Sequence, residues 1–466
     1  MKKELLQNTI IIAIGKLSTQ ILSYLLLPFY TSFLTTAEYG IYDFIVTLCL
    51  FILPVVTLSM DESMFRFLVD AKDEKDKSVI LSNTTAFVIL STLFWGLIAY
   101  VVMSLINYEY RSLVCIYTAS CVLINLANGC VRGLGKFKLY TIQNIILSLA
   151  TMILNILFIA KFKLGMNGLI YSTVIANVVA TLFIIIKLKL YKNVKKSYLD
   201  KELLIKMINY SYPLVPNTVS WLVINLSDRL IVTEILGVSA NGIYAVANKF
   251  PSILNTIARY FFTAFKENAS KAIKETDYKS YYSEMHTLCH SAFIGISLML
   301  ISVMPFVFNI FIKKDFVDAY NYIPILIIAL YYGNMSGFYG TLFVAFKESK
   351  VVGKSTIIGA ISNIIVHLAL IKFIGIYAAA ISTLVANFVV TVLRRNKIKD
   401  YVELKDIDNY IPSLIILYAV GSLYYLKNIY VNIILLLVST LYSVYINKTT
   451  ITDFLKLIKR KVKRHA

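Results

Sequence analysis

The chain has 466 residues, 58% of them hydrophobic and only 15% charged, and carries a formal net charge of +20. This composition excludes a water-soluble globular domain and places most of the mass in lipid. The excess of Lys and Arg does not point to nucleic acid either, because it falls in short loops and tails at regular spacing rather than in one patch with interleaved aromatics.

Runs of about 20 apolar residues cross the hydrocarbon layer, and only helices or closed barrels satisfy their backbone groups there. The pattern predicts an all-α, polytopic membrane protein of about fourteen helices, at 8–33, 40–60, 79–105, 112–131, 139–160, 166–187, 207–236, 242–264, 287–311, 322–346, 352–371, 374–393, 411–426 and 429–446. Met1–Asn8 leads directly into an apolar run too long for a signal core, so the first span is expected to stay in the mature protein. Connecting loops alternate in charge. Those on one side, with both tails, hold 35 of the 46 Lys and Arg, and those on the other hold seven. The remaining four, Lys16, Arg229, Lys249 and Arg259, lie inside spans. Short loops rich in Lys and Arg stay inside, so both termini are expected in the cytoplasm, in a multi-pass protein of the cytoplasmic (inner) membrane.

The two halves repeat. Leu34-Thr-Thr-Ala-Glu-Tyr-Gly-Ile-Tyr42 recurs as Leu236-Gly-Val-Ser-Ala-Asn-Gly-Ile-Tyr244, a shift of 202 residues. Ile170-Tyr-Ser-Thr-Val-Ile-Ala-Asn177 recurs as Ala380-Ile-Ser-Thr-Leu-Val-Ala-Asn387, and Gly165 matches Gly375, both at a shift of 210. Six spans per copy is an even number, so the copies share one orientation and form a parallel repeat. The expected organisation is a six-helix lobe over 1–188, a basic cytoplasmic linker over 189–206 and a second six-helix lobe over 207–395. Two additional transmembrane helices follow over 396–450, then a basic amphipathic tail over 451–466. The linker is read as partly helical from Leu199. The tail places Ile451, Phe454, Leu455, Ile458 and Val462 on one face, which fits either an interfacial helix on anionic lipid or a plain solvated basic tail.

Ionisable groups inside spans are expensive and are functional hypotheses by default. The basic set, Lys16, Arg229, Lys249 and Arg259, belongs to the first span of one lobe and the first two of the other. It is read as a cationic cavity suited to a large anion such as a pyrophosphate. The alternative has Arg229 pairing with Asp228 or Glu234 and Lys16 snorkelling to the surface. Asp43, Asp228 and Glu234 are candidates for a coupling proton or cation, or for ion pairs with neighbouring bases. Asp61, Glu62 and Arg66 close the inner end of the second span. Pro28, Pro54, Pro213, Pro216 and Pro251, all in the first two spans of a lobe, are candidate hinges.

No metal site or cofactor is expected. His286, Cys289 and His290 have a spacing that would present three ligands on one helix face, but no fourth ligand stands near them in sequence. The five cysteines lack framework spacing and read as reduced packing residues. No phosphate-loop, HExxH or GxSxG pattern occurs, so an ATP-driven pump and these hydrolase classes find no support.

The chain resembles the Wzx-type oligosaccharide-lipid flippases of the polysaccharide transporter family, within the multidrug/oligosaccharidyl-lipid/polysaccharide exporter superfamily. The resemblance rests on Asn8-Thr9 opening a span with Lys16 and Leu27-Pro28-Phe29-Tyr30, and on Glu38-Tyr39-Gly40-Ile41-Tyr42. It rests most specifically on Tyr212-Pro213-Leu214-Val215-Pro216 with Ser227-Asp228-Arg229. It implies export of undecaprenyl-pyrophosphate-linked oligosaccharide repeat units for surface polysaccharide, O-antigen, capsule or exopolysaccharide, by alternating access and not by catalysis. Lipid-linked oligosaccharide and the bilayer are the implied partners; a polysaccharide polymerase and a chain-length regulator are further ones it admits, and nucleic acid is not among them. The last two spans resemble the final pair of fourteen-span lipid II flippases, which forms a lipid-tail groove. A multidrug exporter of the same superfamily would favour an acidic cavity, and a polysaccharide polymerase or ligase would carry a long external loop with Arg or His; the chain leans basic and lacks such a loop.

Overall fold

Apolar segments deprived of water must satisfy every backbone group internally, and every regular element among the described residues is helical. The computed structural model describes residues 24–273, 275–405 and 409–452. Lys16 and most of the basic tail lie outside these residues. Two compact units divide between Leu230 and Ile231.

Unit 1 contains α1 (Leu27–Phe33), α2 (Thr36–Thr57), α3 (Met60–Asp70), α4 (Glu74–Leu105), α5 (Arg111–Gly133) and α6 (Phe137–Asn155). A π turn, Ile156–Lys161, extends α6, and α7 (Gly165–Lys187), α8 (Lys201–Ser211) and α9 (Leu214–Leu236) follow, the unit boundary falling inside α9. Unit 2 contains α10 (Val238–Ala247), α11 (Pro251–Ala272), α12 (Tyr278–Phe311), α13 (Ile323–Ala345), α14 (Ser349–Ile374), α15 (Tyr377–Ile398), α16 (Tyr410–Leu423) and α17 (Ile429–Ile446).

The internal repeat is visible element by element. α2 with α3 spans 36–70 and α10 with α11 spans 238–272, both ends offset by 202 residues. α5 and α13 each have 23 residues, and α7 and α15 have 23 and 22. The 3-10 segment Lys314–Tyr322 lengthens the turn after α12 and contributes to the larger later shift. Gly165 and Gly375, which open the matching last helices, both have positive φ, +54° and +56°, a backbone that side chains with a Cβ resist. In unit 1, α5 packs on α3 and α7; in unit 2, α13 packs on α11 and α15.

Small residues make the close crossings possible, since lipid offers no hydrophobic drive for helices to associate. Gly129 and Gly133 stand one turn apart on α5, where an added Cβ would come within 2.9 Å of the Asp61 carbonyl oxygen and 2.8 Å of Leu68 Cβ. The linker is strapped to α4. Ser82 Oγ accepts from the Lys195 N–H (3.1 Å), Asn83 Oδ1 accepts from the Asp200 N–H (3.1 Å), and Asn83 Nδ2 donates to the Tyr198 carbonyl (3.2 Å). Asp200 then caps α8 by accepting from the N–H groups of Glu202 and Leu203.

Ten helices among the described residues are long and apolar enough to cross a membrane. The differences from the fourteen expected spans have local reasons. The span at 8–33 lies mostly outside the described residues. The span at 207–236 holds α9, whose Asp228, Arg229 and Glu234 lower its apolar character. The span at 411–426 is a shorter apolar helix, Tyr410–Leu426. The span predicted as continuous over 242–264 is broken at 248–250. Pro251 has no N–H to continue the ladder and its fixed φ suits the first position of a new helix, so α11 restarts there.

Candidate functional site

In unit 1 the chain concentrates charge and aromatic rings where α2 meets α9. A capping box sets the start of α2: the Glu38 N–H donates to Thr35 Oγ1 (3.2 Å) and Glu38 Oε2 accepts from the Thr35 N–H (2.9 Å). Tyr39 and Asp43, one turn apart on the helix so anchored, are 2% and 7% exposed. Arg229 Nη1 on α9 donates to Asp43 Oδ1. Beside it, Asp228 is 4% exposed. Tyr39 stands between Tyr30 and Tyr42, with ring centroids 6.1 Å away on each side, and Tyr30 Oη accepts from Asn155 Nδ2 (2.7 Å). The cluster joins residues 186 positions apart. A guanidinium has five donors; Asp43 takes one of those of Arg229, and an oxyanion pairs with a guanidinium by the same chemistry.

The other predicted residues are placed as follows. Lys249 is half-buried in the break between α10 and α11, Arg259 is exposed on α11, and Glu234 is exposed on α9. Of the candidate hinges, Pro54 lies inside α2, where the carbonyl of Leu50 loses its intrahelical donor. Pro28 sits in the first turn of α1, Pro216 in the first turn of α9, Pro251 begins α11, and Pro213 lies in the turn before α9. Helix starts tolerate proline without kinking. Pro305, inside α12, was missed by the sequence reading.

In unit 2 an apolar groove of about 700 Å³ runs along α11, α12 and α17, lined by Ile253, Ile257, Ile296, Met299, Leu300 and Val444. Asn447, just past α17, also lines it and donates from Nδ2 to the carbonyl oxygen of Ser291 (3.0 Å). His286 and His290 are engaged with tyrosines: His286 Nε2 lies 2.8 Å from Tyr339 Oη and His290 Nδ1 lies 2.8 Å from Tyr331 Oη.

Sequence reasoning did not single out Arg394. It is 6% exposed. Its Nε donates to Ser355 Oγ (2.9 Å), Nη1 to the Ser336 carbonyl (2.9 Å), and Nη2 to Thr356 Oγ1 (2.8 Å) and the Val352 carbonyl (3.2 Å), tying α15 to α13 and α14. The available signal was the repeat itself, since the shift of 210 sets Arg394-Arg395 against Ile184-Ile185.

Internally repeated apolar helices, with the Arg229–Asp43 pair set among them, define a multi-pass membrane protein. The profile of the family described as polysaccharide biosynthesis protein matches residues 5–266, and the chain belongs to that family. Its fold is similar to that of lipid II flippase MurJ in an inward closed conformation, with a TM-score of 0.72, 16% identity, and coverage of 96% of this chain and 100% of that one. It is also similar to an inward-facing multidrug resistance MATE family transporter of the MOP superfamily, with a TM-score of 0.63, 14% identity, and coverage of 88% and 99%. A Vibrio cholerae MATE transporter aligns with a TM-score of 0.55 at 14% identity, covering 85% of this chain and 97% of that one. No curated protein matches the chain in sequence.

Proposed function

We propose that the protein is a flippase that moves undecaprenyl-pyrophosphate-linked oligosaccharide repeat units from the inner to the outer leaflet of the cytoplasmic membrane by alternating access, with both termini in the cytoplasm. The carrying observation, beside family membership, is the Arg229–Asp43 pair: a guanidinium held by a carboxylate inside a membrane protein. A pyrophosphate presents more oxyanion charge than one carboxylate and competes for the same fork. In this reading substrate takes Arg229 from Asp43, while Lys249, Arg259 and Lys16 supply further positive charge. Lobes over 1–188 and 207–395, joined by 189–206, are the moving parts. The groove along α11, α12 and α17 takes the prenyl chain, whose surface its aliphatic lining matches.

The buried carboxylates Asp43 and Asp228 support a second reading, a cation-coupled multidrug exporter. One experiment separates the two. The gene is deleted, lipid-linked intermediates are analysed, and the strain is complemented with wild type, Arg229→Gln or Lys249→Ala. Finished repeat units accumulating on the inner leaflet, rescued by wild type and not by either variant, support the flippase. Normal surface polysaccharide in the deletion with raised drug sensitivity supports the exporter.

A further inference from the structure

At the Lys- and Arg-rich end of unit 2, α12, α13 and α15 enclose a polar cavity of about 360 Å³ covered by residues 399–405, which follow α15. Its lining includes His286, Tyr339, Arg395, Lys399, Lys405 and Glu403. The wall is built rather than incidental. Ile398 and Val402 are 1% and 2% exposed, the Lys405 N–H donates to Ser283 Oγ on α12 (3.1 Å), and the Arg395 guanidinium stacks 4.4 Å from the Tyr410 ring centroid. Among the lining residues Glu403 is the carboxylate set against three cations, Arg395, Lys399 and Lys405.

Unit 1 shows what the fold alone requires at this place. A cavity of about 250 Å³ lies at the matching end, lined by Leu81, Ile89, Leu126, Thr181, Ile185 and Leu190. Under the 210-residue shift Ile185 corresponds to Arg395 and Thr181 to Thr391. The repeat therefore lines this position with uncharged, mostly apolar side chains in one copy and with three cations, a carboxylate and a histidine in the other. Packing does not demand the second solution.

We propose that this cavity is a binding site for a phosphate-bearing anion, distinct from the Arg229–Asp43 cluster and independent of the flippase reading. The fork of Arg395 and the point charges of Lys399 and Lys405 suit phosphate oxygens. A basic pocket at the end of transmembrane helices is where anionic lipid headgroups bind. A soluble phosphate compound shares the same chemistry.

The test uses the full chain purified in phosphatidylcholine nanodiscs, with phosphatidylglycerol or millimolar inorganic phosphate as probes. The variants are Lys399→Gln/Lys405→Gln, whose positions are exposed and tolerate change, and Arg395→Ile, which installs the residue of unit 1. Binding is read by native mass spectrometry and by the shift in unfolding temperature, with Lys192→Gln/Lys196→Gln in unit 1 as the control. The expected result is that wild type and control hold the anion and the double variant binds it about tenfold or more weakly. Retention of phosphatidylglycerol that inorganic phosphate does not displace assigns a lipid headgroup. Stabilisation by inorganic phosphate alone, lost in the double variant, assigns a soluble phosphate compound. Equal binding of each probe by wild type and double variant overturns the site.

Discussion

Ile184 and Arg394 occupy one place in the repeat, seven residues after the matching asparagines Asn177 and Asn387. Ile184 is fully buried in a cluster with Ala127, Val131 and Tyr140, whereas Arg394 spends its guanidinium on two carbonyls and two hydroxyls. The same pair of helix lengths and the same glycine-opened turn thus accommodate a dry plug in unit 1 and a satisfied polar plug in unit 2. What differs is the supply of acceptors: unit 2 places Ser355 and Thr356 on α14 and leaves the Ser336 carbonyl within reach. A buried cation is tolerable where its donors are matched and ruinous where they are not. The next residue carries the divergence to a cavity wall, Ile185 against Arg395.

The comparison can be broken most violently by Ile184→Arg. This puts a charge into the aliphatic cluster of unit 1 at a cost of several kcal/mol, and the expected outcome is loss of folded protein on size-exclusion chromatography. The reciprocal change, Arg394→Ile, removes the four hydrogen bonds that tie α15 to α13 and α14 and should lower stability by about 3 kcal/mol in thermal unfolding. If both swaps were harmless, matched acceptors would not be the reason for the difference.

A third contrast sharpens it. Asp43 stands where the second repeat has Ala245, which is fully buried. Asp43→Ala leaves Arg229 without this carboxylate and should destabilise by about 2 kcal/mol, less than a fully buried pair because the Arg229 side chain is 22% exposed. Adding Arg229→Leu should recover much of that loss, and a double-mutant cycle in thermal unfolding measures the coupling.

The smallest effect concerns Asp61, in the first turn of α3, outside the membrane-crossing helices, where the second repeat has Thr263. Burial, with repulsion from Glu62, raises its carboxyl to about 6 from an ordinary 3.8. The fold therefore favours the protonated acid. That stability is fully present below pH 3.8 and is lost as pH rises through about 6. Asp61→Asn should unfold at a higher temperature than wild type at pH 8 and at the same temperature near pH 4.

Much of the architecture was legible in the residues. Apolar run length gave the helices, the motif Leu34–Tyr42 recurring at Leu236–Tyr244 revealed the repeat, and Gly165 with Gly375 marked the positive-φ turns that open its last helices. The buried ionisable set was partly legible: Arg229 and Asp43 stood out as costly residues, but their pairing across 186 positions did not, because hydropathy carries no register between distant helices. Lys249 read as a mid-span charge, yet it sits in a helix break that Pro251 imposes. Arg394 was hidden by its neighbours, since Arg395, Lys397 and Lys399 made the whole segment look solvated.

The chain by itself determined that this protein is an all-helical, internally repeated membrane protein, because a backbone in lipid has almost no other way to satisfy its hydrogen bonds and because the repeat is written in matching turns. Only the tertiary structure decided which charges are spent on holding helices together and which line a cavity. That choice depends on whether hydroxyls and carbonyls from other helices lie within hydrogen-bond reach, and distance along the chain does not encode it.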